Sequence, residues 1–247
     1  MHRSIPSVVV LGDGLLGSEI VKQTGWDNIS RKKDEFNITE PDKFHTFFVE
    51  DCYEGIIFAS KYNVIINCIA DTNTYSLDKE PQWKVNYKGV ADLTDFCNTW
   101  DIKLVHISSD YVYTNSQQEA SENNVPIHGN NWYSYTKLLA DAYIELKSKN
   151  YLICRGTHKE KPFNHPLSWI NQIGNFDYVD KIAELIIKLV NSDAVGLYNV
   201  GTELKTMSDL ARQTNPKSKP FIINSNYTPL NVSMDLNKLN EWLSKNL

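Results

Sequence analysis

Short uninterrupted apolar runs alternate along this chain with longer stretches in which apolar positions recur every three or four residues. The runs lie at 7–11 (SVVVL), 63–70 (NVIINCIA), 104–107 (LVHI) and 151–155 (YLICR). Unbroken apolarity over four to eight positions, rich in β-branched residues, suits a strand covered on both faces. Helical spacing fills the intervals at 18–23, at 83–100 (apolar at Val90, Leu93, Phe96 and Cys97) and from near Trp132 onward. Weaker signals predict strands at 27–30 and 36–38. Thr39 is the expected cap of a helix with Pro41 in its first turn, and 44–60 is expected to be largely helical. Alternating strands and helices without an internal repeat predict an α/β fold, a Rossmann-type doubly wound parallel sheet. Past residue 155 the pattern loosens. A loop-like stretch holds Pro162 and Pro166. An amphipathic helix follows at 178–191, a strand at 196–201, a short helix capped by Thr206 and a terminal helix at 236–247.

The first run ends directly in Gly12-Asp13-Gly14-Leu15-Leu16-Gly17, and helical spacing resumes at Ser18. This is G-x-G-x-x-G with a strand before it and a helix after it, the context in which it cradles a dinucleotide. The first glycine allows the tight turn, the second lets backbone approach a pyrophosphate, and the third lets helix pack on strand. The N–H groups that open the helix then face the phosphates. Gly12, Gly14, Leu15, Leu16 and Gly17 are therefore candidate cofactor residues, against the plainer reading of a merely tight turn. The second strand ends in Ser30-Arg31-Lys32-Lys33, where an NAD-selective site would carry an acid. Arg31 suits a 2′-phosphate, so NADP(H) is expected in preference to NAD(H). Asp34 keeps NAD(H) open, and a solvated basic turn accounts for the same residues. These motifs predict an NAD(P)-binding domain over 1–155 and a small, dependent substrate lobe over 156–247.

The run at 104–107 ends in the hydroxyls of Ser108 and Ser109, followed by Asp110. On the helix that opens near Trp132, Tyr133 and Lys137 stand four apart and share one face. A hydroxyl, a phenol and an ammonium can together serve a carbonyl–alcohol pair. Hydride addition to a ketone needs a proton for the oxygen, and a neighbouring Lys⁺ is expected to lower the phenol's pKa from about 10 toward the working pH. A serine hydroxyl can steer the substrate oxygen toward the phenol. Tyr-x-x-x-Lys also arises by chance on helices, and its weight here comes from the other motifs. His106 and Trp132 are read as packing residues, and Asp110 as either a supporting carboxylate or a turn former.

Composition narrows the classes. The 247 residues carry a net charge of −5, which disfavours a nucleic-acid surface. No apolar run approaches the ~20 residues needed to span a bilayer. The N-terminal run is too short for a signal-peptide core, so a cytoplasmic protein is expected. Cys52, Cys68, Cys97 and Cys154 show no metal-like pair spacing, and Cys68 and Cys154 fall in apolar runs that predict buried thiols.

Taken in order, these pieces resemble the extended short-chain dehydrogenase/reductase superfamily, and within it the dTDP-4-dehydrorhamnose reductase family. The resemblance runs from Val8 to about Leu243. It rests on the glycine turn, INCIADTN at 66–73, Val85-Asn86, HISSDYVY at 106–113 and Tyr133 with Lys137. Later it continues through FDYVD at 176–180, YNVG at 198–201 and SMD at 233–235, followed by Lys238-Leu239. It implies a hydroxyl role for Ser109, with Tyr133 as the acid. Lys137 would be the partner of Tyr133 and a holder of the nicotinamide ribose. It further implies that Ala70 and Thr72 line the cofactor side with Asn86 supporting that strand edge, and that the substrate is a nucleotide-sugar. Members of the family often need a dimer or a bound divalent ion, and the sequence shows no metal-ligand cluster, so no metal is expected. A homodimer is left open. The stretch 156–177 is shorter than the resemblance leads one to expect, so the sugar and the nucleotide stay open. The implied activity is reduction of a keto group on a nucleotide-activated deoxysugar. The competing readings are a reductase-like regulatory or binding subunit without turnover, and a related epimerase or dehydratase.

Overall fold

The computed structural model describes residues 7–50, 59–114, 119–124 and 131–246. Six strands form one parallel sheet: β1 (Val8–Leu11), β2 (Asp27–Ile29), β3 (Val64–Asn67), β4 (Lys103–Ile107), β5 (Tyr151–Arg155) and β6 (Gly196–Asn199). Their order is β6-β5-β4-β3-β1-β2, and every neighbouring pair is parallel. The principal helices are α1 (Leu15–Thr24), α2 (Gly89–Thr99), α3 (Trp132–Lys147), α4 (Val179–Asn191), α5 (Met207–Thr214) and α6 (Asn237–Asn246).

Successive side chains on a strand point to opposite faces, so each buried strand needs two apolar partners. Val8, Val10, Ile66, Val105, Leu152 and Cys154 pack on one side with Leu16 and Ile20 of α1, Ile182 and Ile186 of α4, and Leu239 of α6. Val9, Leu11, Ile65, Leu104 and Ile153 pack on the other with Val90 and Leu93 of α2, Ala140 and Ile144 of α3, and the rings of Phe36, Phe44 and Phe48. The chain leaves β1 for β2 on one side, then crosses back to β3 on the other. That reversal opens a crevice beyond the carboxyl ends of β1 and β3, where a doubly wound sheet takes its ligands.

Several expectations need correction. Strand β6 and helices α4 and α6 all complete the main sandwich from beyond residue 155, so the chain does not divide there into a sheet domain and a lobe. Residues 36–38 form no strand. Asn37 Oδ1 accepts the Thr39 N–H at 3.2 Å and the Thr39 hydroxyl at 2.9 Å, and this local bonding competes with a ladder. The Phe36 and Ile38 side chains are nonetheless buried. The helix expected over 44–60 ends at Phe48, where Val49–Glu50 pairs antiparallel with Ala59–Ser60. Cys52 and the rest of 51–58 lie outside the described residues. The segment at 83–100 is helical but opens as a wide π turn over Trp83–Lys88, a feature common at functional sites. Thr206 caps α5 as expected, in a reciprocal box with Asp209. A smaller apolar cluster of Phe163, Phe176, Tyr178, Met207, Leu210 and Val232 holds the remaining C-terminal residues over the sheet edge. Among the described residues, no helix is long and apolar enough to cross a membrane.

Candidate active site

A cavity of about 520 Å³ sits at the strand ends. Gly14, Leu15, Leu16, Ala70, Thr72, Ser109, Tyr133 and Lys137 all line it, which brings together eight of the eleven residues singled out from sequence. Gly12 and Gly17 lie beneath the turn rather than on the wall. Gly12 holds φ +97°, a region only glycine enters freely, and a Cβ on Gly17 would stand 2.3 Å from the Gly12 carbonyl. Helix α1 opens at Gly14 with no side-chain cap, and the space above Gly14 is open. Uncapped N–H groups and free approach are what a pyrophosphate requires. Arg31 is exposed and stands off the cavity wall, at the start of a single helical turn over Arg31–Asp34. Asp34 turns back on that turn, its Oδ2 accepting the Ser30 N–H at 2.9 Å.

The loop after β3 is clamped from the π turn. Asn86 Oδ1 accepts the Asp71 N–H at 2.8 Å and its Nδ2 donates to the Asp71 carbonyl at 2.9 Å, so Ala70 and Thr72 face the cavity on a fixed backbone. Ser109 ends the loop after β4, and its hydroxyl accepts the Tyr111 N–H at 3.2 Å, capping a short 3₁₀ turn. Tyr133 and Lys137 come from the first turns of α3, whose N-terminus Asn131 caps by accepting the Ser134 N–H at 3.1 Å.

The electrostatics differ from expectation at the phenol. Burial pushes Tyr133 up to about 12, a hydrogen bond with Ser109 works the other way, and the Asp110 and Asp141 carboxylates push it up further. The Lys137 Nζ is engaged by other groups. It donates to the Ile107 carbonyl at 2.6 Å and meets His106 Nε2 at 3.1 Å. Burial pulls Lys137 itself down to about 8, with Asp141 and Cys68 opposing.

Sequence reasoning missed His106 as a partner of Lys137. Strand parity carried a signal: His106 shares its face with Leu104, under α3, and it lies in register with Asn67 of β3. Two polar residues in register on buried strands need partners. Asp110 is fully buried. Its Oδ1 accepts the Thr157 hydroxyl at 2.6 Å and is 3.4 Å from the Ser109 hydroxyl, while Oδ2 has no partner among the described residues. Burial, partly offset by Thr157 and Lys159, raises Asp110 to about 6. Below the floor runs a buried network. Arg155 Nε donates to Asp141 Oδ2 at 2.8 Å, the Ser108 hydroxyl donates to the same oxygen at 2.8 Å, and Arg155 Nη1 donates to the Tyr113 hydroxyl at 2.9 Å. The far wall comes from Gly156, Thr157, His158, Lys159 and Trp169, with Tyr75 and Tyr111 at the mouth. Cys68, expected to be a buried thiol, also reaches the cavity, though burial holds it protonated with a pKa of about 12. Among the described residues no His, Cys, Asp and Glu cluster could hold a metal.

Similarity to known proteins agrees with this architecture. Residues 7–158 match the family model of the RmlD substrate binding domain. A dTDP-4-dehydrorhamnose reductase of Mycolicibacterium smegmatis is 31% identical over 103 residues, which span 39% of this chain and 31% of that protein. Among solved structures, the dTDP-4-dehydrorhamnose reductase of Bacillus anthracis in complex with NADP superposes with a TM-score of 0.77 at 18% identity, covering 99% of this chain and 98% of that one. That of Clostridium acetobutylicum gives 0.74 at 20% identity, covering 95% and 91%. A UDP-glucuronic acid 4-epimerase from Bacillus cereus in complex with NAD gives 0.70 at 17% identity, covering 96% and 90%. These structural likenesses establish the shared fold. The family model spans more than half of the chain and takes in the glycine turn, Ser109, Tyr133 and Lys137, and the chain therefore belongs to the RmlD substrate binding domain family.

Proposed function

We propose that the protein is an NADP(H)-dependent reductase of a keto group on a nucleotide-activated deoxysugar, similar in chemistry to the dTDP-4-dehydrorhamnose reductases. One observation carries the reading: Ser109, Tyr133 and Lys137 share a cavity with an uncapped helix N-terminus at Gly14. Gly14, Leu15 and Leu16 would hold the pyrophosphate, and Ala70 and Thr72 would flank the rest of the dinucleotide. Arg31 would meet a 2′-phosphate, and the commitment of Asp34 to Ser30 favours NADP(H) over NAD(H). The bound dinucleotide supplies the hydride.

The chain's own residues handle the oxygen. The Ser109 hydroxyl accepts from Tyr111 and donates only a long 3.4 Å bond to Asp110 Oδ1, and that proton would turn to a bound carbonyl oxygen. Tyr133, held well above neutrality, keeps its proton until charge develops on that oxygen and then donates it. Lys137 sits one turn along the same face and would contact the nicotinamide ribose. The wall from Gly156 to Lys159, with Trp169, excludes water and would take the sugar. A cytoplasmic location forms part of this proposal. The test is NADPH oxidation against a panel of nucleotide-linked 4-keto-6-deoxyhexoses. Oxidation with a dTDP-linked member is expected. Failure with every nucleotide-sugar, alongside ready reduction of a free small ketone, would overturn the reading.

A further inference from the structure

Asn67, His106 and Lys137 form a chain of three fully enclosed polar side chains, with exposures of 0%, 0% and 1%. Their hydrogen-bond inventory fixes where the protons sit. The Asn67 amide is oriented by backbone: its Oδ1 accepts the Ile69 N–H at 3.0 Å. The amide atom left facing His106 is Nδ2, a donor, 3.4 Å from Nδ1. A donor at that place calls for a lone pair on Nδ1, which puts the ring proton of a neutral imidazole on Nε2. Nε2 stands 3.1 Å from Lys137 Nζ. An ammonium has three donors and no acceptor, so it would oppose that proton, whereas a neutral amine has a lone pair to receive it. The amine can still donate to the Ile107 carbonyl at 2.6 Å.

We infer that Asn67 and His106 are a positioning pair which stabilises the uncharged amine of Lys137, in the protein without bound ligands, relative to an ordinary lysine. The other groups facing Lys137 are compatible with this. Asp141, one turn along α3, favours a charge, but its Oδ2 is already shared by Arg155 and Ser108. Cys68, beyond β3, is a protonated thiol. Burial draws Lys137 downward and keeps His106 well below its ordinary value, with Lys137 depressing it further, so the ring stays neutral across the physiological range. For Lys137 to take up a proton, the imidazole must exchange tautomers and turn Nδ1–H onto Asn67 Nδ2. The charge on Lys137 is thus tied to the tautomer of His106. On the reductase reading, this pair sets when Lys137 can support a Tyr133 phenolate, but the resting protonation state does not depend on that reading.

The experiment is long-range ¹⁵N–¹H correlation NMR on histidine-labelled protein, with the His106 signal assigned by its loss in His106→Gln. At pH 9, above the Lys137 value of about 8, the unmodified protein is expected to show a neutral His106 protonated at Nε2. Protonation at Nδ1, or at both nitrogens, would overturn the inference. Asn67→Asp replaces the donor by an acceptor in the same place. It is expected to move the proton to Nδ1 and to shift the Lys137 titration, followed by ¹⁵Nζ, upward from about 8 toward the ordinary lysine range. A folded Asn67→Asp protein that keeps the Nε2 proton and the same Lys137 titration would remove Asn67 from the pair. Neither readout requires turnover, so a failed reductase assay and a failed tautomer assignment remain separate results.

Discussion

The floor and the roof of the cavity are built by different physical means. Backbone shapes the floor: Gly12 at φ +97°, Gly17 against the Gly12 carbonyl, and the uncapped start of α1 at Gly14. Side chains enter it from strand ends, from the first turn of α1 and from one face of α3. The roof depends on pairings two or three residues long between distant segments. His158–Lys159 pairs with Asp177–Tyr178, Leu167–Trp169 with Lys219–Phe221, and the Tyr75 hydroxyl lies 3.2 Å from that of Thr228. A floor fixed by glycine geometry and a six-strand sheet has little freedom. Such short pairings open at lower cost, as a substrate-admitting wall requires.

The two regions should therefore answer differently to mutation. The largest effect is expected on the floor. Tyr133→Phe keeps the ring and removes the proton, and should lower turnover on the order of 10²–10⁴-fold while NADPH binding, measured by titration, is largely kept. Equal losses of turnover and binding would mean that the hydroxyl serves cofactor binding rather than proton donation. Next comes the network beneath the floor. Arg155→Leu leaves the Asp141 carboxylate buried and unpaired, with side-chain exposures of 2% and 0% in the original pair. A loss of about 3–5 kcal/mol in denaturant unfolding is expected.

Asp110 links floor to roof through Thr157, and it gives a pH test. Its folded-state pKa, about 6, lies above the ordinary 3.8. Its contribution to stability is therefore fully present below about pH 4 and lost as pH rises through 6. Asp110→Asn should remove that dependence. The two melting curves should diverge between pH 4 and 7 by on the order of 2 kcal/mol, the variant gaining on the unmodified protein as pH rises. Parallel curves would mean that Asp110 is better solvated than its burial indicates. The smallest effect falls at the rim. Arg31→Ala should weaken NADPH binding about tenfold and leave NADH unchanged, as loss of one exposed charge-assisted contact would. Tighter binding of NADH than NADPH by the unmodified protein would contradict the cofactor preference.

The same division explains what could be read from sequence. The floor rests on residues close in the chain, Gly12 to Gly17 and Tyr133 to Lys137, and on strands whose apolar runs declare themselves. All of these stand where their spacing put them. The wall from 156 to 159 and Trp169 belong to strands of two or three residues, too short to show a period of two. Strand β6 was legible as a strand, but nothing local says that it joins β5 rather than a separate lobe, because parallel pairing is set by packing across the sheet. Phe36 and Ile38 look like a strand by alternation, yet Asn37 turns the backbone between them. His106 looked like packing because a histidine within an apolar strand usually is. Its role emerges only when α3 brings Lys137 over it, 31 residues later in the chain.

The central claim is that this cavity delivers hydride from a nicotinamide to the keto carbon of a nucleotide-linked sugar. Deuterium transfer tests it most directly. NADPH carrying deuterium at both C4 positions of the nicotinamide would be incubated with the protein and a dTDP-linked 4-keto-6-deoxyhexose, and the product sugar examined by mass spectrometry and NMR. The account predicts one deuterium per product molecule, on the carbon that bore the ketone, and a rate that collapses in Tyr133→Phe. NADPH consumed without deuterium in the sugar, or label transfer undiminished in Tyr133→Phe, would contradict it.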